Sequence, residues 1–197
     1  VRMLNTSRRF ARIQDLAQTL GRPRTPESNA MRRKQVREII GRLKENGLHI
    51  VTAESLPCGM ISAQLADIPG ASAVLNGGFC VYQDEMKTAQ LGVPPEMLAQ
   101  HTAVSYDVAV AMAKGALEKT GAAQLGKKKA SNISVAVTGY AGSPAGAAPE
   151  SESGLVYISI GRIFNAAAEP GITVYTHRFS GDRMAVRRQT TDQALKH

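Results

Sequence analysis

Three short runs hold residues fit for chemistry: Glu54-Ser55-Leu56-Pro57-Cys58-Gly59, Tyr82-Gln83-Asp84-Glu85-Met86-Lys87 and Thr138-Gly139-Tyr140-Ala141-Gly142. A fourth, Gly181-Asp182-Arg183, opens the last helical stretch. Each falls where a strand pattern ends or a helix pattern begins, the place where α/β folds expose ligand sites. Small residues in the first and third runs let a backbone come close to a ligand. The amides of a helix start favour an anion, either a phosphate or a developing oxyanion. Taken singly, the same residues have plain structural uses. Ser55 suits the cap of the helix after it, Lys87 reads as a surface lysine on an amphipathic helix, and Cys80, among apolar strand residues, reads as a buried core thiol. Cys58 has no histidine beside it in sequence to activate it as a nucleophile. Arg183, Arg187 and Arg188 at helical spacing suit a phosphate or a neighbouring subunit equally.

The elements that must hold these runs follow from periodicity. Residues 32–45 place Val36, Ile39, Ile40 and Leu43 on one helical face and close on Asn46-Gly47. Strand patterns occupy 49–53, 77–82, 133–137, 155–160 and 172–179, and helical patterns 84–91, 95–100, 105–120 and 183–195, with a small-residue helix through Met60, Ile61 and Leu65. Strands alternating with helices predict an α/β domain with helices on both faces of a five-stranded sheet. The last two strands are joined too briefly for a helical crossover, so they are expected to run antiparallel and the sheet to be mixed, though mostly parallel.

Composition bounds the rest. The chain has 197 residues, 43% hydrophobic and 20% charged, and every apolar segment is interrupted well short of a membrane span. Two cysteines make no disulfide framework and no CxxC pair, and His49, His101, His177 and His197 lack ligand spacing, so no metal or cofactor is expected. The net charge of +8 is local: residues 1–40 hold ten Arg and Lys against three acids, and the remainder is nearly neutral. Residues 1–30 therefore read as a basic extension to a domain spanning 31–197. Its Arg-rich, acid-poor composition is that of a transit peptide for the mitochondrial matrix or of a plain basic tail, and it offers charge to RNA or to an acidic protein surface.

Five runs together resemble one family. Thr52-Ala53-Glu54-Ser55, Tyr82 to Lys87 followed by Leu91-Gly92-Val93, Val104-Ser105, Val137-Thr138-Gly139-Tyr140-Ala141-Gly142, and Phe179-Ser180-Gly181-Asp182-Arg183 through Gln189 resemble the C-terminal domain of the competence-damage-inducible protein CinA, in order and spacing. The resemblance implies a three-layer α/β/α domain, oligomers, and, in active members, hydrolysis of nicotinamide mononucleotide to nicotinate mononucleotide and ammonia. It implies Ser55 as nucleophile, Lys87 as base and Tyr82 as orienting group. Thr138, Gly139, Ala141 and Gly142 would contact substrate and Arg183 its 5′-phosphate.

The chain departs from that pattern in three runs. Leu56-Pro57-Cys58-Gly59 stands where the family reads Cys-Thr-Gly-Gly, removing a hydroxyl and, at Pro57, a backbone N–H. Asp84 stands for the family's Asn, and the Gly-rich continuation after Gly142 is altered. Two expectations result: an amidohydrolase of pyridine nucleotides, or a non-catalytic subunit recruited by its basic arm into a larger assembly such as a mitochondrial ribonucleoprotein.

Overall fold

The computed structural model describes residues 25–121, 126, 128–142, 152–164 and 168–197. The basic arm, apart from its last residues, and most of the Gly-rich run after Gly142 lie outside these. Helix α1, Pro26–Glu45, begins earlier than the periodicity suggests. Pro26 reads as a breaker in sequence but serves as the first helical residue, where its missing N–H costs nothing, and the Thr25 side chain caps Ser28 N. The far end closes as expected, on Asn46 and a left-handed Gly47.

Strand β1 (Ile50–Glu54) is buried along its whole length. It pairs in parallel with β2 (Leu75–Cys80) on one side and with β3 (Ile133–Gly139) on the other. Beyond β3 lie β4 (Leu155–Arg162) and β5 (Gly171–Arg178), each antiparallel to its neighbour, giving the order β2-β1-β3-β4-β5. The sheet is mixed as expected. Four strands share a direction and β4 alone is reversed, although the pairings divide evenly between parallel and antiparallel.

Two apolar clusters lie on the two faces. One joins Val36, Ile40 and Leu43 of α1 to Ile61 and Leu65 of α2 (Met60–Ala66), Val135, Val137 and Ile158 of the sheet, and Val186 of α6 (Arg183–Ala194). The other joins Val51, Ala53 and Ala136 to Leu91 of α3 (Asp84–Leu91) and to Val108, Met112, Ala113 and Ala116 of α5 (Tyr106–Lys119), with Met97 and Leu98 of α4 (Pro95–His101) packed beside them. Burial on both sides of the sheet makes this a three-layer sandwich. Gly115 of α5 is needed by that packing, because a methyl group there would run into the carbonyl oxygen of Leu91. Among the described residues no helix is long and apolar enough to cross a membrane.

Candidate active site

The chain leaves β1 toward α2 on one face and leaves β2 toward α3 on the other, so a crevice opens at the carboxyl ends of these strands. A cavity of about 190 Å³ occupies it, lined by Ser55, Leu56, Tyr82, Asp84, Lys87, Ala103, Val104, residues 138–142 and Arg183. All eight of the residues expected at a site are therefore together, drawn from four separate runs of the chain.

Ser55 does not cap α2. The helix starts at Met60 behind Gly59, which makes no side-chain cap bond. The helix amides are taken instead by Glu54, a fully buried carboxylate that accepts from Ile61 N at 3.1 Å and Ser62 N at 2.9 Å, and from the hydroxyls of Thr52 and Ser62. A carboxylate at a helix start also meets the favourable end of the helix dipole. This anchors the residue next to Ser55, whose own N–H donates to Val137 O at 2.9 Å.

The loop after Ser55 is held from the opposite wall. Arg187 of α6 donates to the carbonyls of Leu56 and Pro57, each at 2.9 Å. The sequence places Glu54 in the first of the four runs and Arg187 among the helically spaced arginines, but gives neither the task of holding the Ser55 loop. The signal that could have assigned them is a carboxylate closing the otherwise uncharged strand Ile50–Glu54, and an arginine one turn beyond Arg183.

Lys87 is not a surface lysine; its side chain is 1% exposed. It lies on the face of α3 turned to α5, and its ammonium donates to Asp84 Oδ1 at 3.0 Å and to Tyr82 O at 3.3 Å. Ser55 faces the same cavity without a direct bond to that ammonium. The Tyr82 phenol is hydrogen-bonded to Arg183 rather than to either member of the pair. Thr138 spends its hydroxyl proton on Ala103 O at 2.6 Å, which fixes the 103–104 wall, and Ala141 is buried in the core while still edging the cavity. Gly139 has no room for a side chain: a Cβ would lie 2.7 Å from Leu155 O.

Cys80 is likewise not a core thiol. β2 is an edge strand, and Cys80 at its end is exposed, as is Cys58. Among the described residues no group of three or more His, Cys, Asp or Glu could hold a metal.

The fold is a three-layer α/β/α sandwich on a mixed sheet, with a serine, a buried lysine and an arginine around one cavity at the strand ends. The particular lineage is plain from comparison: residues 32–197 match the CinA C-terminal domain, and the chain belongs to that family. It is 40% identical over 163 residues to the nicotinamide-nucleotide amidohydrolase PncC of Shigella flexneri, covering 82% of this chain and 90% of that protein. It is 39% identical over 151 residues to a CinA-like protein of Myxococcus xanthus, spanning 76% of this chain but 32% of that longer protein. Among solved structures, the competence/damage inducible protein CihA of Agrobacterium tumefaciens superposes with a TM-score of 0.72 at 33% identity, covering 84% of this chain and 92% of that one.

Proposed function

We propose that this chain is an amidohydrolase of nicotinamide mononucleotide or a closely related pyridine nucleotide, with Ser55 as nucleophile. The observation that carries this reading is Lys87: a buried lysine on the wall of a cavity that also presents a serine is costly to maintain without a use for its nitrogen. The 40% identity to a nicotinamide-nucleotide amidohydrolase supports the choice of substrate.

The cavity is smaller than the roughly 300–1,000 Å³ usual for small-molecule sites. It suits a nicotinamide ring and its amide, with the ribose phosphate lying outward against Arg183, whose guanidinium matches a phosphate in geometry and charge. Of the three donors on the Lys87 ammonium, two are engaged by Asp84 and Tyr82, and the third is left to reach Ser55 through a water. For attack, Lys87 must first give up a proton, and Asp84 is the acceptor within reach. Ser55 Oγ then adds to the amide carbon as its proton passes to Lys87. The Leu56 N–H, next to the nucleophile, is at hand for the oxyanion. Collapse of the tetrahedral adduct sends the proton to the departing nitrogen and releases ammonia, and water hydrolyses the ester left on Ser55 to nicotinate mononucleotide.

The test is ammonia release from nicotinamide mononucleotide by the purified chain and by Ser55→Ala. The expected result is a rate in the parent that Ser55→Ala reduces by at least 10²-fold with folding intact. Equal rates in the two proteins would remove Ser55 from the mechanism. No ammonia from either would favour the second reading, a non-catalytic subunit recruited through its basic arm. The ion pair that already engages Lys87 and the proline at position 57 are the observations on that side.

A further inference from the structure

Cys58 and Cys80 are distant in sequence, and both are exposed and reduced. Cys80 ends β2 in register with Glu54, and the next residue, Val81, donates its N–H to Glu54 O at 2.9 Å. From Glu54 the chain runs through Ser55 and then doubles back through two successive left-handed residues, Cys58 at φ 51° and Gly59 at φ 89°. A non-glycine residue takes that conformation only where its surroundings impose it. The reversal lays the loop against the end of β2. A Cβ on Gly59 would lie 3.2 Å from Cys80 Sγ, so the turn that carries Cys58 packs directly on the Cys80 sulfur.

We propose that Cys58 and Cys80 form a redox modification site that closes to an intramolecular disulfide when the chain meets a hydroperoxide, fastening the Ser55 loop to the end of β2. Cys58 is the sulfur that reacts first. Cys58 stands exposed on the turn, whereas burial, the charge of Glu54 and the neighbouring Cys58 all push the Cys80 thiol above its ordinary range, which suits Cys80 to the resolving step. The Cys58 thiolate attacks one peroxide oxygen, the O–O bond breaks, and the departing hydroxide takes up the thiol's proton as water, leaving Cys58 as a sulfenic acid. Cys80 sulfur then attacks Cys58 sulfur. The S–S bond forms, the S–O bond breaks, and the second hydroxide leaves as water with the Cys80 proton. The pair gives up two electrons and two protons, and one hydrogen peroxide becomes two waters.

The consequence reaches the cavity from both sides. Ser55 stands three residues before Cys58 and Tyr82 two after Cys80, so the new bond ties the wall that carries the hydroxyl to the segment leading into Asp84 and Lys87. The pairing itself does not depend on the amidase reading.

The reduced full chain is treated with a slight excess of hydrogen peroxide, alkylated and digested. No Lys or Arg lies between Lys44 and Lys87, so trypsin leaves both cysteines on one peptide, and cleavage at Asp67 separates them. The expected result is a tryptic peptide lighter by two hydrogens, whose Asp67-cut halves stay joined until reduced. The oxidised chain gains roughly 7–14 °C in Tm, reversible by dithiothreitol, as a closed loop of this length predicts. Cys58→Ser and Cys80→Ser each abolish the link and the gain, and Cys80→Val serves if serine at the strand end disturbs folding. The proposal is overturned if both sulfurs remain alkylatable after peroxide, if each takes up oxygen separately, or if links form only between molecules.

Discussion

Two carboxylates near the cavity have opposite structural duties, and substitution separates them. Glu54 is buried and surrounded entirely by donors, so Glu54→Gln places an amide N–H₂ against groups that also donate. A loss of about 2–4 kcal/mol in unfolding free energy is expected, measured by urea denaturation. Asp84 is half exposed, and Asp84→Asn keeps an oxygen for Lys87 while removing the charge. Stability is expected to change by no more than about 1 kcal/mol, whereas ammonia release shifts its pH profile. An unchanged profile would remove Asp84 from the proton path. That Ser55 and Lys87 share one cavity was legible in sequence only through the family's motifs, since by residue type one reads as a helix cap and the other as a surface lysine. Burial of Lys87 was not legible, because a hydropathy pattern counts every lysine as outward. Arg187 was missed as a clamp because its partners are backbone carbonyls 131 and 130 positions away, which no local pattern encodes.

Among the elements, α3 was legible to the residue, because Asp84 begins it and Gly92, left-handed, ends it. The start of α1 was not, since Pro and Thr mark turns as readily as helix starts, and capping by Thr25 decides between them. The seam between α3 and α5 is the element contact on which the site depends. Gly115 lets the two helices touch at Leu91, one turn from Lys87. Gly115→Ala is expected to lower Tm by several degrees, although alanine is the better helix former, because the helices must part. It should lower kcat more than it raises KM, by moving the base rather than the binding surface. A stabilised variant with unchanged kcat would show that the seam has slack. Gly115→Ser, bulkier still, should be worse on both measures.

At the scale of the whole molecule, the C-terminal residues close over the outer sheet edge through aromatic rings. His197 stacks on Tyr175 with centroids 3.6 Å apart, its Nε2 lies 3.1 Å from that of His177, and His177 stacks on Phe179. Burial lowers the pKa of His177 below its ordinary value near 6.5, and burial, with the charges of His177 and Lys196, lowers that of His197. The unfolded chain therefore binds more protons than the folded one as the pH drops below that value. Stability contributed by this cluster is full above pH 6.5 and lost as the pH falls through the depressed values. Thermal unfolding at pH 7.5 and 5.5 checks it: the Tm falls with acidification by less in His177→Gln than in the parent.

The crevice has a further bearing on how the molecule moves. Ser55 is anchored through Glu54 to α2 on one side of the sheet, and Lys87 rides on α3 on the other, so the two halves of the site belong to different apolar clusters. A ligand gripping both would join two bodies that otherwise meet through the strands and the hydrogen bond between Arg183 and Tyr82. Amide hydrogens of α2 and of α3 should then slow their exchange together when nicotinate mononucleotide binds, including those that touch no ligand atom. Protection confined to one helix would mean that the molecule holds its ligand from one side alone.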